Sequence, residues 1–134
     1  MKKDIEIKEM KGVRVAIVRS ENEKGEQVWD AYLINLNSYK LENVIVASRG
    51  YDLIDGKEVN TSVLRHMFKE VDPDCAIKIE PVSPEVFGIT NEYWVSFFGP
   101  DGLIDRKFLF PGGLVAEEHL SIIPELEKEG VYAF

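Results

Sequence analysis

Two histidines, one cysteine and a scatter of acidic residues are the side chains in this chain that most readily invite chemistry. His66 and His119 lie far apart in the chain, and neither has a second nitrogen or sulfur ligand at metal-binding spacing. Each therefore reads as a structural or surface histidine. Cys75, in the stretch DPDC, has no flanking signature of a catalytic thiol, so an inert thiol is expected. The acidic stretches DLIDGKE (Asp52, Asp55, Glu58) and DPD (Asp72, Asp74) invite a calcium reading. The alternating oxygen ligands of an EF-hand loop are missing, however, and Asp and Gly are ordinary turn residues. PGG and GPDG lack the spacing, the lysine and the following helix of a phosphate loop. No catalytic residue, metal ligand or cofactor is assigned on this reading. One catalytic alternative stays open: a site built from residues distant in sequence, with His66 beside an Asp or Glu. A cavity joining a histidine to a carboxylate is the feature that would favour it.

Binding chemistry has a better foothold. YWVSFFGPDGLIDRKFLF, from Tyr93 to Phe110, brings six aromatic rings close together, with Phe87 just upstream. Gly99-Pro100-Asp101-Gly102 is a hairpin turn: Pro100 fixes φ, Asp101 suits the next position and Gly102 accepts a left-handed conformation. A three-residue loop would make Gly99 face Leu103. Trp94 would then meet Phe108 and Phe98 would meet Ile104 on one face, with Tyr93, Phe97, Asp105 and Lys107 on the other. The first face is the more apolar and is assigned to the core. Tyr93, Phe97, Asp105 and Lys107 become the candidate binding residues of an exposed aromatic face.

The elements that would position these residues are strands. KGVRVAIVRS sets Val13, Val15 and Ile17 against Arg14, Ala16 and Val18, and period two is the strand signal. After the polar turn ENEKGEQ, VWDAYLINLN places Trp29, Ala31 and Leu33 on one face and Val28, Tyr32, Ile34 and Leu36 on the other. The two runs predict an antiparallel hairpin. In LENVIVASRG, Val44 and Val46 oppose Ile45 and Ala47; in CAIKIEPV, Ala76 opposes Ile77 and Ile79. Residues 61–71 fit a helix or a strand, and short connections between strand neighbours favour a strand. LVAEEHLSII is expected to wind into a short helix, Pro124 to open a second turn, and VYAF to end the chain as a strand. The fold expected is all-β: an immunoglobulin-like antiparallel β-sandwich with a short C-terminal helical segment. A small barrel, or an α+β fold if 61–71 is helical, is the alternative.

Length and composition agree with one domain over residues 1–134. The chain has 134 residues, 45% hydrophobic and 30% charged, which is globular rather than disordered. No apolar run approaches the ~20 residues that span a bilayer, so no membrane association is expected. MKKDIEIKEM has acidic residues where a signal peptide needs an apolar block, and the single cysteine suits a reducing compartment. A cytoplasmic location follows as the expectation. The net charge of −8, with basic residues dispersed, lacks the footprint of a nucleic-acid binder, so none is expected.

The blocks VWDAYLINLN, LENVIVASRGYD, TSVLRH, IKIEPV, NEYWVSFF and IPELEKEGVYAF span nearly the whole chain. They resemble a family of short, uncharacterised bacterial proteins, some of which carry the label phenylalanyl-tRNA synthetase alpha subunit. The blocks contain none of the arginine-bearing ATP motifs of a synthetase, so no catalytic residue is carried over. The function expected is a non-catalytic binding or adaptor module. It would meet a protein partner, or itself, through a sheet edge or the aromatic face.

Overall fold

A computed structural model describes residues 12–134. The MKKDIEIKEM stretch lies outside the described residues. Ten strands follow in order: β1 (Val13–Glu21), β2 (Gln27–Asn35), β3 (Leu41–Ile54), β4 (Lys57–Asn60), β5 (Leu64–Val71), β6 (Cys75–Pro81), β7 (Thr90–Gly99), β8 (Gly102–Phe110), β9 (Ser121–Ile123) and β10 (Lys128–Tyr132). They form two antiparallel five-stranded sheets packed as a sandwich. The first runs β6-β2-β1-β10-β9. The second runs β4-β3-β7-β8, with β5 also pairing β3. The long strand β3 has room for both: β5 lies beside its Leu41–Ser48 part and β4 beside Tyr51–Ile54.

Alternation builds the interior as the sequence suggests. Val13, Val15 and Ile17 of β1, Ala31 and Leu33 of β2, and Val44 and Val46 of β3 meet Tyr93, Val95 and Phe97 of β7 between the sheets. Burying a large apolar side chain of this kind contributes about 1.5–3 kcal/mol relative to exposure. The opposite phase of β1 and β2 is apolar too. Ala16, Val18 and Ile34 form a second cluster with Ile123, joined by Leu126 of the β9–β10 turn. A strand buried on both faces reads as a continuous apolar run, which is what AIV in β1 does.

Turn chemistry fixes the connections. Asp55 and Gly56 both have positive φ (52° and 77°), so DLIDGKE makes the tight hairpin from β3 to β4. Residues 61–71 contribute strand β5, and the expected β1–β2 hairpin is present. Buried Asn35 fastens the first sheet to the β5–β6 turn: its amide donates to the carbonyls of Val71 and Asp72 and to that of Tyr39.

Three expectations are corrected. Gly99 pairs with Gly102, so Pro100-Asp101 is a two-residue turn; Phe98 faces Leu103 and Trp94 faces Lys107. Gly102, at φ 116°, is the first residue of β8 rather than part of the loop. The faces are consequently inverted: Tyr93 and Phe97 are each 2% exposed, whereas Trp94 (44%) and Phe98 (45%) look outward. Phe108, now opposite Tyr93, keeps its place against the core. Finally, the C-terminal helix shrinks to one 3-10 turn, Glu117–His119, before β9. Sheet pairing of Ser121–Ile123 with β10 satisfies the backbone that a helix would have used.

Candidate functional site

Two features stand out, on opposite sides of the second sheet. On its outer face, cross-strand register aligns two rows: Met67–Ile45–Ser96–Asp105 and Arg65–Ala47–Trp94–Lys107. Phe98 and Leu103 form the next pair along. Met67 is 78% exposed, and Ile45 and Leu103 are also open. Lys107 Nζ lies 4.9 Å from the centroid of the Trp94 ring, a cation–π contact, while Ser96 hydrogen-bonds Asp105. Ala47 is the small member of the row between Arg65 and Trp94. Beside this face Glu92 is buried and held by Arg49 (3.2 Å) and Lys107 (3.9 Å).

On the inner side a polar cluster gathers at Glu80. Strand β6 alternates into the core at Ile77, but a β-bulge places Ile79 as an extra residue between the pairs Tyr32↔Lys78 and Ala31↔Glu80. The bulge turns Glu80 inward, opposite the buried Ala31, where strict alternation would have sent it out. Its carboxylate receives the Ser48 hydroxyl from β3 (2.9 Å to Oε1) and the Tyr93 hydroxyl from β7 (3.0 Å to Oε2). His66 from β5 completes the set, with Nε2 2.7 Å from Oε1. Four strands of two sheets therefore meet at one carboxylate. Burial first, and then the charge and hydrogen bond of Glu80, push the Tyr93 phenol well above its ordinary range, so it stays protonated as a donor.

A cavity of about 350 Å³ opens beside this cluster, walled by Ser48, Glu80, Tyr93 and Asn91 with Val82 and Leu64. Glu80 thus brings a histidine to the edge of a cavity, but His66 itself is not in the cavity wall, so the feature that favours the catalytic alternative is met only in part. The proton geometry argues against it. Ser48 and Tyr93 both give their hydrogens to Glu80, and His66 faces the same carboxylate rather than either hydroxyl, so no serine–histidine pair forms here. What the arrangement does offer is a largely enclosed carboxylate whose hydroxyl donors have lone pairs left over.

Of the residues expected to bind, Asp105 and Lys107 are exposed on the outer face, whereas Tyr93 and Phe97 lie in the interior. His119 bonds the Leu114 carbonyl, and Cys75 is a free, exposed thiol. Sequence reasoning missed Glu80, Ser48 and the outward Trp94. The missed signal for Glu80 was IEP ending a strand: Glu stands where the alternation and Pro81 together signal an irregular edge. No family model matches the chain, and no curated protein or solved structure matches it either.

Proposed function

We propose that the chain is a non-catalytic binding module that recognises a protein partner through the outer face of the β3-β7-β8 sheet. The observation that carries the reading is Trp94, half exposed on a regular sheet face, with Ile45 and Met67 in the adjoining row and Phe98 and Leu103 one row further along the strands. Grouped exposed apolar residues with a polar border are the usual mark of an interaction site, and tryptophan is enriched among residues that dominate binding energy. Three of the sheet edges, β6, β8 and β9, suit pairing less well. Edge strand β8 carries exposed Asp105, Arg106 and Lys107, and its Leu109 is already paired with the backbone of Phe134. Edge strand β6 has a bulge and Pro81, and β9 is three residues long. These are the devices that discourage strand addition.

Charge narrows the partner. Trp94 has Lys107 on one side and Arg65 beyond Ala47 on the other, so the face complements a protein segment with acidic and apolar side chains. A second copy, bringing another −8, fits less well. The same proposal includes an immunoglobulin-like affiliation of the sandwich, kinship with the short bacterial family, a cytoplasmic location and no nucleic-acid partner. Its supports are the paired antiparallel sheets, the quoted sequence blocks, the free Cys75 and the acidic balance.

The test is capture by immobilised protein from extract of the native host, with sedimentation of the purified chain alongside. Trp94→Ser combined with Phe98→Ser should weaken capture of a partner by about tenfold or more without loss of fold. Glu80→Gln should leave capture intact. Capture indifferent to the Trp94 and Phe98 changes, or a wild-type dimer that those changes dissolve, would refute the reading.

A further inference from the structure

The cavity beside Glu80 carries an inference separate from the outer face. The polar side chains nearest Glu80 have used up their hydrogens inside the protein, while the Ser62 and Ser83 hydroxyls stand further along the lining. Ser48 and Tyr93 each donate their only hydroxyl hydrogen to Glu80. The Asn91 amide donates both of its hydrogens, to the carbonyls of Val86 (2.8 Å) and Ile89 (3.1 Å). Thr61 Oγ1 accepts from the Gly50 N–H and gives its hydrogen to the Ser62 carbonyl. Each of these groups has only lone pairs left to offer. Arg49 also borders the cavity, but its guanidinium is engaged with Glu92 and the Tyr51 ring. Among the described residues, His66 is the one cationisable group within ion-pair distance of Glu80.

Lone pairs grouped around a largely enclosed carboxylate, its side chain 11% exposed, favour a ligand that brings donors and a positive charge. The carboxylate has about four acceptor positions and meets three donors, with Ser48 shared between both oxygens, His66 at Oε1 and Tyr93 at Oε2, so a further donor would compete with the shared Ser48 hydrogen at Oε2. The remainder of the lining, including Val82, Val86, Leu64 and Pro81, is apolar. We propose that this cavity binds a small organic cation, a primary ammonium on a short apolar body, with Glu80 as its counter-ion and Ser48, Tyr93 and Asn91 as hydrogen-bond acceptors. Space is sufficient: ~150 Å³ already holds a benzene ring, and about 350 Å³ is present here.

The experiment uses three probes of nearly one shape: phenethylammonium, the neutral phenethyl alcohol and the anionic 3-phenylpropanoate. Amide chemical shifts of the whole chain are followed during titration of each into wild type and Glu80→Gln. The expected result is that phenethylammonium moves the amides of Ser48, Glu80 and Asn91. The alcohol should bind about tenfold more weakly, as lost charge-assisted hydrogen bonds imply, and the anion not at all. Glu80→Gln should lower the affinity for the amine by a similar factor and leave the alcohol unchanged. Equal binding of all three probes, no binding of the amine at millimolar concentration, or shifts centred on Trp94 of the outer face would each overturn the proposal. The comparison of probes on wild type decides the matter even if the variant fails to fold.

Discussion

Replacing Glu80 with methionine tests whether the carboxylate is the knot that holds the two sheet margins together. The substitution keeps the length of the side chain and removes every acceptor. Tyr93 then has a hydroxyl without a partner in the interior. Ser48, 5% exposed, is nearly as enclosed, whereas the His66 side chain, 30% exposed, can turn to water. An orphaned buried donor costs about 1–3 kcal/mol, so Tyr93 and Ser48 together cost about 2–6 kcal/mol. Relief from burying a charge, and the apolar gain of the methionine, offset part of that. A net loss of about 2–4 kcal/mol follows, a large share of the ~5–15 kcal/mol typical of a domain. Urea unfolding should show it as a lower midpoint with an unchanged slope. The decisive step adds Tyr93→Phe and Ser48→Ala to Glu80→Met. Removing both sides of a buried hydrogen bond is nearly neutral, so the triple variant should recover about 1–3 kcal/mol. A Glu80→Met loss below about 1 kcal/mol, or a triple variant less stable than Glu80→Met alone, would refute the reasoning.

Further outcomes can be measured in the same way. Gly130→Ala should destabilise by about 2 kcal/mol or more, because a Cβ there would stand 2.4 Å from the Ile17 carbonyl oxygen, which is backbone and cannot yield; thermal unfolding would show it. Trp94→Ser should change stability by less than about 1 kcal/mol, as that ring is half in water; a larger loss in urea unfolding would place Trp94 in the core. Alkaline titration should destabilise the fold. Burial, then the hydrogen bond and charge of Glu125, push the Tyr132 phenol up to about 12, with Arg14 opposing. Its folded value lies above the unfolded one, so its contribution is complete below about pH 10 and disappears as pH rises to about 12. Tyr132→Phe should flatten that decline, and stability measured against pH checks it.

Much of the fold was legible because the pleat imposes period two on any half-buried strand. The faces of β1 and β2 and the opposition of Val44 and Val46 to Ile45 follow from that alone, whereas at 61–71 periodicity fitted helix and strand alike and the short connections pointed to the strand found there. The β7–β8 pair shows where such reading fails. A one-residue slip across the turn moved Phe108 from the row of Tyr93 to that of Trp94, and made the outward face look the more apolar. Within β7 alone, the contrast of Val95 with Ser96 pointed the right way: Val95 is buried and Ser96 is at the surface beside Asp105. The candidate site was less legible still. Ser48, His66, Glu80 and Tyr93 come from four strands, and local spacing says nothing of residues that meet only when two sheets close.

The sequence by itself determined that this is a β protein, with turns around Gly25, Asp55-Gly56 and the Gly99-Pro100-Asp101-Gly102 stretch, since alternation and turn preference are properties of neighbouring residues. Tertiary structure alone decided which way the rings of β7 point and where Glu80 goes. Both depend on a register counted across strands: a two-residue turn in one case and a bulge at Ile79 in the other. A single residue gained or lost there sends a side chain to the opposite face, and only the packing of one sheet on another selects between the two.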